Sequence, residues 1–148
     1  MKNINEDIFK QKFGDTLGGN VSFGKKTEGS AYISVEFHYV DDKSNKLYFI
    51  EIESDNKAKI DVGEYVLLNM LYSEPNEGNG TKKLVSNRKI EECCFVTVIC
   101  HKDNSVERLS KVLELVQDKY NIKLKHKCVL LCDFSDKESF LSKIRVFD

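Results

Sequence analysis

The sequence lacks an excess of charge of either sign. It carries 23 basic and 24 acidic side chains, which leaves a net charge of −1 at pH 7. Proteins that hold nucleic acid through bulk charge are usually clearly basic. The balance therefore excludes binding by overall charge, and any contact with DNA or RNA has to come from a local patch.

Long apolar runs are also missing. No segment approaches the roughly 18 apolar residues that a membrane-spanning helix needs. The first residues, Met1–Asp7, contain no apolar signal-peptide core, and no internal repeat is evident. We therefore expect a cytoplasmic protein with no membrane partner.

The five cysteines are an odd number, and their spacing matches no close pair of zinc ligands. Several lie inside apolar segments, where residues of a strand alternate between faces. We therefore expect reduced, packed thiols and not a disulfide framework or a zinc site; the residues weighed are Cys93, Cys94, Cys100, His101, Cys128 and Cys132.

A chain of 148 residues, with 41% hydrophobic and 32% charged side chains, has the size and composition of one globular domain. We predict a single domain over residues 1–148, because this length buries one sizeable core and leaves no room for a second.

Apolar periodicity and capping residues predict the secondary structure. Two-residue alternation or a continuous apolar run indicates a strand, and a polar residue followed three positions later by glutamate indicates a helix start. In chain order the predictions are a helix over about 4–16, strands over 21–23, 31–40 and 47–53, a helix opened by Asp61-x-x-Glu64, a long loop over 73–88, a strand over 93–100, a helix opened by Asn104-x-x-Glu107, a strand over 128–132 and a helix opened by Ser135-x-x-Glu138.

The order of these elements predicts an α/β fold. Turn residues at 41–45 join two strands into an antiparallel hairpin. The strand, helix, strand succession over 93–132 is a βαβ unit, whose two strands should be parallel. We therefore expect a mixed sheet flanked by helices on both faces.

Two glutamates stand out on the strand 47–53. Glu51 and Glu53 alternate with isoleucines, so both point to one face, roughly 7 Å apart along the strand. Leu47 and Phe49 precede them on that face, which therefore changes from apolar to acidic. A solvated strand face would explain this pattern; the rim of a cleft with a hard cation such as Mg²⁺ between the carboxylates would explain it equally well.

Whether Glu36 joins this pair depends on the register of the hairpin. If residue 40 pairs with 46, Glu36 faces away from Glu51. Pairing of 40 with 45, or a bulge, would instead put Glu36 on the same face as Glu51 and Glu53.

Other side chains are weaker candidates. Lys57 and Lys59 could fold back over the carboxylates or remain in solvent. His101 and Asp133 follow strands, where α/β proteins often bind small molecules. Basic clusters with nearby tyrosines could touch phosphates or be solvated surface; they lie at Lys82-Lys83, Arg88-Lys89 and Lys119–Lys127, beside Tyr72 and Tyr120.

Residues 4–101 resemble the PD-(D/E)xK, or restriction-endonuclease-like, nuclease superfamily. The resemblance is carried by the opening helix, the hairpin with Glu36, the strand Phe49-Ile50-Glu51-Ile52-Glu53, the helix after it and the buried strand 94–100. It implies divalent metal held by Glu36, Glu51 and Glu53, with Glu36 in place of the usual aspartate and Glu53 in place of the usual lysine. It further implies assistance from Lys57 or Lys59, and from Glu6 on the first helix.

The resemblance leads to a first hypothesis of a Mg²⁺- or Mn²⁺-dependent nuclease acting on DNA or RNA, with a homodimer as a possible assembly. A second hypothesis is a catalytically inactive member of the same fold that binds a protein or nucleic acid, as an immunity-like module would. A third is an α/β domain that binds a small molecule near His101 and Asp133.

Overall fold

A computed structural model describes residues 4–24, 33–53, 58–73, 80–84, 89–100 and 105–145. The elements are helix α1 (Ile4–Phe13), strands β1 (Val21–Phe23), β2 (Ile33–Val35), β3 (Phe37–Asp41) and β4 (Lys46–Glu53), helices α2 (Ala58–Leu71) and α3 (Gly80–Leu84), strand β5 (Glu92–Ile99), helix α4 (Ser105–Tyr120), strand β6 (Lys125–Leu130) and helix α5 (Lys137–Arg145), with short 3-10 turns at Gly14–Thr16 and Leu131–Asp133. None of the helices in these ranges is long and apolar enough to cross a membrane.

Four strands form the main sheet in the order β3-β4-β5-β6. The β3–β4 pair is antiparallel, and β4–β5 and β5–β6 are parallel. The predicted hairpin, the predicted βαβ unit and the mixed sheet are therefore confirmed.

Helices cover both faces of this sheet, as the sequence predicted. On one face α1 and α5 pack against the strands through a cluster of aromatic side chains that includes Phe9, Phe13 and Phe140. On the other face α2 and α4 contribute Tyr65, Leu68, Leu109 and Leu113 to a second core. The sheet is therefore buried on both sides, which explains why β5 is apolar along nearly its whole length.

The prediction of one continuous strand over 31–40 is wrong. The chain bends at Glu36, which separates β2 from β3, and β2 pairs with β1 in a small antiparallel sheet of its own. Val35 packs in the core beneath α2, whereas Phe37 packs in the core beneath α1. Residues two apart on a regular strand would share a face, so the bend switches the chain from one core to the other.

Two predicted helix starts are also wrong. Helix α2 begins at Ala58, so Asp61 lies inside its first turn and is buried. Helix α5 is capped by Asp136 and not Ser135, because the Asp136 carboxylate accepts a hydrogen bond from the Ser139 amide at 2.8 Å. The predicted cap Asn104 lies outside the described residues.

Two further boundaries differ from the prediction. Part of the predicted loop 73–88 is the short helix α3, and a Cβ at Gly80 would lie 2.5 Å from the Ser22 carbonyl oxygen, so only glycine lets α3 approach β1 this closely. The last strand spans Lys125–Leu130 and turns into a 3-10 segment where 128–132 was predicted to remain extended.

Candidate functional site

The carboxyl end of β4 carries the two glutamates that the sequence singled out. Leu47 and Phe49 belong to the core beneath α2, and Glu51 and Glu53 follow on the same face by strand alternation. Glu51 is 7% exposed and Glu53 is half-buried. This face does change from apolar to acidic, and burial of Glu51 rules out a simply solvated strand face there.

The register of the hairpin is neither of the two considered from the sequence. Val40 pairs with Leu47 and Asp41 with Lys46, which leaves a four-residue turn that ends on Asn45 in the left-handed region (φ 55°). Asparagine tolerates this backbone conformation better than most residues. The last pair before the bend is Phe37 with Ile50, so Glu36 follows at the level of Glu51.

The bend at Glu36 directs its carboxylate back toward β4. Its Oε1 accepts a hydrogen bond from the Ile52 amide at 3.2 Å. The same carboxyl group lies within hydrogen-bonding reach of Glu51. The observed register therefore puts Glu36 on the same face as Glu51, and the bend lets the Glu36 carboxylate reach the Ile52 amide.

Helix α2 adds two acids that sequence reasoning missed. Asp61 is 1% exposed, and Glu64 lies one turn further along the helix, half-buried. From the sequence, both were interpreted as a capping box. This motif is local, so it does not predict which face of the helix packs against the sheet. The available signal was the position of these acids directly after an acidic strand end.

Five carboxyl groups thus share one region, which we call the acid cluster: Glu36, Glu51, Glu53, Asp61 and Glu64. Burial, with a hydrogen bond shared with Glu36, raises the pKa of Glu51 to about 11. Burial, with a hydrogen bond shared with Glu53, raises the pKa of Asp61 to about 9. Burial and the charges of Glu53 and Glu36 raise the pKa of Glu64 to about 7.

Each charged side chain that contributes to the raised pKa values of Glu51, Asp61 and Glu64 is itself an acid. At the opposite end of the same strands, a partly buried carboxylate is instead paired with lysines. There Glu92 contacts Lys125 at 2.7 Å and Lys46 at 3.3 Å, and these lysines hold its pKa below the ordinary value although burial opposes them. The acid cluster therefore needs protons or cations that the neighbouring described side chains do not supply.

Lys59 does not lie in the acid cluster. It is exposed on α2, two residues before Asp61 and so about 200° around the helix from it. Lys57 and the side chain of Glu6 lie outside the described residues, and so does His101.

The thiols are free, as predicted. Cys94 and Cys128 are buried among apolar side chains, and Cys132 is exposed. Asp133 is exposed in the 3-10 turn after β6. Cys100 directly follows β5, and burial together with the charges of Glu36 and Glu53 raises its pKa to about 11.

The acids meet in pairs. Within the described ranges, no three histidine, cysteine, aspartate or glutamate side chains are arranged to hold one metal ion. The chemistry of the donors is nevertheless uniform, since all five are carboxylates, the ligands preferred by hard divalent ions.

No protein-family model, no curated protein and no solved structure matches the chain.

Proposed function

We propose that the chain is a small nuclease of the restriction-endonuclease-like kind, dependent on Mg²⁺ or Mn²⁺, with the acid cluster as its active site. The observation that carries the proposal is the pairing of Glu36 with Glu51 at the end of a buried strand. Two adjacent carboxylates repel each other unless a proton or a cation lies between them.

The pair suits an ion that keeps most of its water. Mg²⁺ is commonly held by one or two carboxylates, with water and substrate phosphate as the remaining ligands. Glu36 and Glu51 would hold it, and Glu53 follows on the same face. A bound ion of this class polarises a phosphate oxygen and makes a bound water more acidic.

The chain's own side chains supply positioning and proton handling. The Ile52 amide fixes Glu36, and the sheet fixes Glu51, so neither carboxyl group has to be ordered when a ligand binds. Glu64 has a pKa near 7 and lies among these acids, half-buried on α2. A carboxylate of that pKa accepts a proton from water near neutral pH, which suits the attacking step of phosphodiester hydrolysis.

The experiment is a cleavage assay on circular DNA, single-stranded DNA and RNA with Mg²⁺, with Mn²⁺ and with EDTA. We expect cleavage only with metal, and its loss in Glu51→Ala. The matched control is Glu107→Gln, which removes an exposed acid on α4 that is ion-paired with Lys111. Metal-dependent cleavage that survives Glu51→Ala would reject this assignment of the active site.

A second candidate is a catalytically inactive binding module of the same fold. The favouring observation is that Lys59 lies away from the acid cluster, and that burial and neighbouring acids, with no lysine among the causes, raise the pKa values there. The resemblance implies a lysine in an active nuclease. Binding of Mg²⁺ without cleavage of any substrate would favour this module over the nuclease.

A further inference from the structure

Helix α2 is apolar on the face that points away from the sheet. Tyr65 faces the core, whereas Ile60, Leu67 and Met70 lie on the opposite side of the helix and are 47%, 41% and 58% exposed. Gly63 is exposed between them. These four residues follow one another at helical spacing and form one continuous row. We call Ile60, Gly63, Leu67 and Met70 the outer stripe.

The outward face of a helix that packs on a sheet is normally polar, because it meets water. Helix α4, which packs beside α2 on the same face of the sheet, shows this pattern. Six of the eight exposed residues between 106 and 120 are charged. Of the five exposed residues of α2, only Lys59 is charged. The outer stripe therefore has the composition of a surface that another molecule covers.

Gly63 is a second sign of a close neighbour. Glycine is among the least favourable residues in the interior of a helix. A Cβ at Gly63 would meet no atom within 4 Å, so packing within the described residues does not require glycine there. A backbone that passes close to α2 at this position would require it.

The outer stripe is complementary to itself when two copies of α2 cross antiparallel, with a two-fold axis at the level of Tyr65. Ile60 then faces Met70 of the second copy, and Gly63 faces Leu67 of the second copy. Each contact occurs twice, as two-fold symmetry requires. The Leu67 side chain fills the space that Gly63 leaves open, so large and small residues interdigitate.

Charges at the ends of α2 fit the same arrangement. Lys59, in the first turn, would face Leu71 at the end of the second copy's helix. The last turn of α2 contains no basic residue, although the carboxyl end of a helix carries partial negative charge. Each copy would therefore supply the cation that the helix end of the other copy lacks.

We propose that the outer stripe is the contact between two copies of this chain, which pair through α2 as an antiparallel, two-fold symmetric dimer. The outer stripe points away from the acid cluster, so this inference goes beyond the proposed function and does not depend on it. A stable interface usually involves about 20–30 residues a side, so we expect a weak dimer that dissociates on dilution.

Sedimentation equilibrium of the full chain in EDTA, from about 1 µM to about 1 mM, covers the affinities of a small interface. We expect monomer to convert to dimer across this range. Leu67→Glu should raise the dissociation constant at least roughly tenfold, because it places a charge against an apolar surface. The matched control is Leu115→Glu, the same change at an exposed leucine of α4, which should leave the dissociation constant unchanged.

A mixture of two variants tests the antiparallel pairing. Gly63→Leu brings leucines together at both central contacts, and Leu67→Ala leaves both with a gap, so each variant alone should dimerise more weakly than the wild type. In the mixture, the leucine introduced at position 63 of one chain meets the alanine introduced at position 67 of the other. We therefore expect the mixture to form more dimer than either variant alone.

A wild-type chain that stays monomeric up to about 1 mM would overturn the proposal and leave the outer stripe to a different protein. A dimer that Leu67→Glu weakens no more than Leu115→Glu does would show that the copies meet through another surface. No gain on mixing would reject the antiparallel arrangement. None of these outcomes decides the proposed nuclease activity, which the cleavage assay tests separately.

Discussion

The Glu36 carboxylate accepts the hydrogen bond from the Ile52 amide that a neighbouring strand would otherwise accept. β3 begins at Phe37 opposite Ile50, so no residue of β3 lies opposite Ile52, and the Glu36 carboxylate accepts the Ile52 amide hydrogen bond at 3.2 Å. The bend that interrupts the sheet is thus closed by the same carboxyl group that meets Glu51. Structural and functional roles of Glu36 can be separated by changing its charge and its hydrogen bond independently.

Glu36→Gln keeps an oxygen acceptor for the Ile52 amide, whereas Glu36→Ala removes it. We expect the alanine variant to be less stable than the glutamine variant by about 1–2 kcal/mol, because it leaves an amide without a partner. Urea unfolding in EDTA measures the difference. Equal stabilities would show that this hydrogen bond does not hold the bend.

The stability of the metal-free protein should fall as pH rises above 7. Glu51 and Asp61 have folded-state pKa values of about 11 and 9, far above their ordinary values of 4.5 and 3.8. The folded state therefore binds more protons than the unfolded state, and the stabilisation present below pH 4 is lost progressively up to these values. His126, whose pKa burial lowers, acts in the opposite sense only below its ordinary value of 6.5.

Thermal unfolding in EDTA between pH 7 and 9.5 tests this dependence. We expect the unfolding temperature to drop across the range, and to drop less in Glu51→Gln, which cannot ionise. Mg²⁺ should reduce the drop, because it replaces the protons. An unfolding temperature that stays constant or rises would contradict the buried-acid interpretation.

Phe9 is central to the core beneath α1. Its ring lies 5.1, 5.2 and 5.4 Å from those of Phe13, Phe37 and Phe140. Phe9→Ala should cost about 3–5 kcal/mol of unfolding free energy, because it leaves a cavity among aromatic rings. Ile8→Ala, one residue away on the exposed side of α1, should cost less than about 0.5 kcal/mol. Similar losses in both variants would contradict this packing.

The five thiols should differ sharply in reactivity. Cys132 is exposed, whereas burial raises the pKa values of Cys93, Cys94 and Cys128 to about 12. Because the thiolate is the reactive form, we expect one rapid reaction with Ellman's reagent at pH 8 in the folded protein and five after unfolding. The rapid reaction should disappear in Cys132→Ser; its persistence would place another thiol at the surface.

The sequence predicted those features that depend on local periodicity. Two-residue alternation put Glu51 and Glu53 on one face, and the apolar runs around Val96 and Val129 indicated buried parallel strands. Both patterns are local, because a strand repeats every two residues wherever it lies.

The rest of the candidate site depends on contacts between distant segments. Ile33, Val35 and Phe37 alternate as regularly as an unbroken strand, so nothing local reveals that Val35 and Phe37 enter different cores. Asp61 satisfies a capping motif equally well whether its helix begins there or one turn earlier. The acid cluster therefore became visible only once α2 was packed on the sheet.

Calorimetric titration of the metal-free chain with Mg²⁺ tests most directly whether the acid cluster binds cations. We expect saturable binding that is lost or strongly weakened in Glu51→Gln and unchanged in Glu107→Gln. If the wild-type protein binds no Mg²⁺, or if Glu51→Gln binds it as tightly as the wild type, the acid cluster is not a cation site.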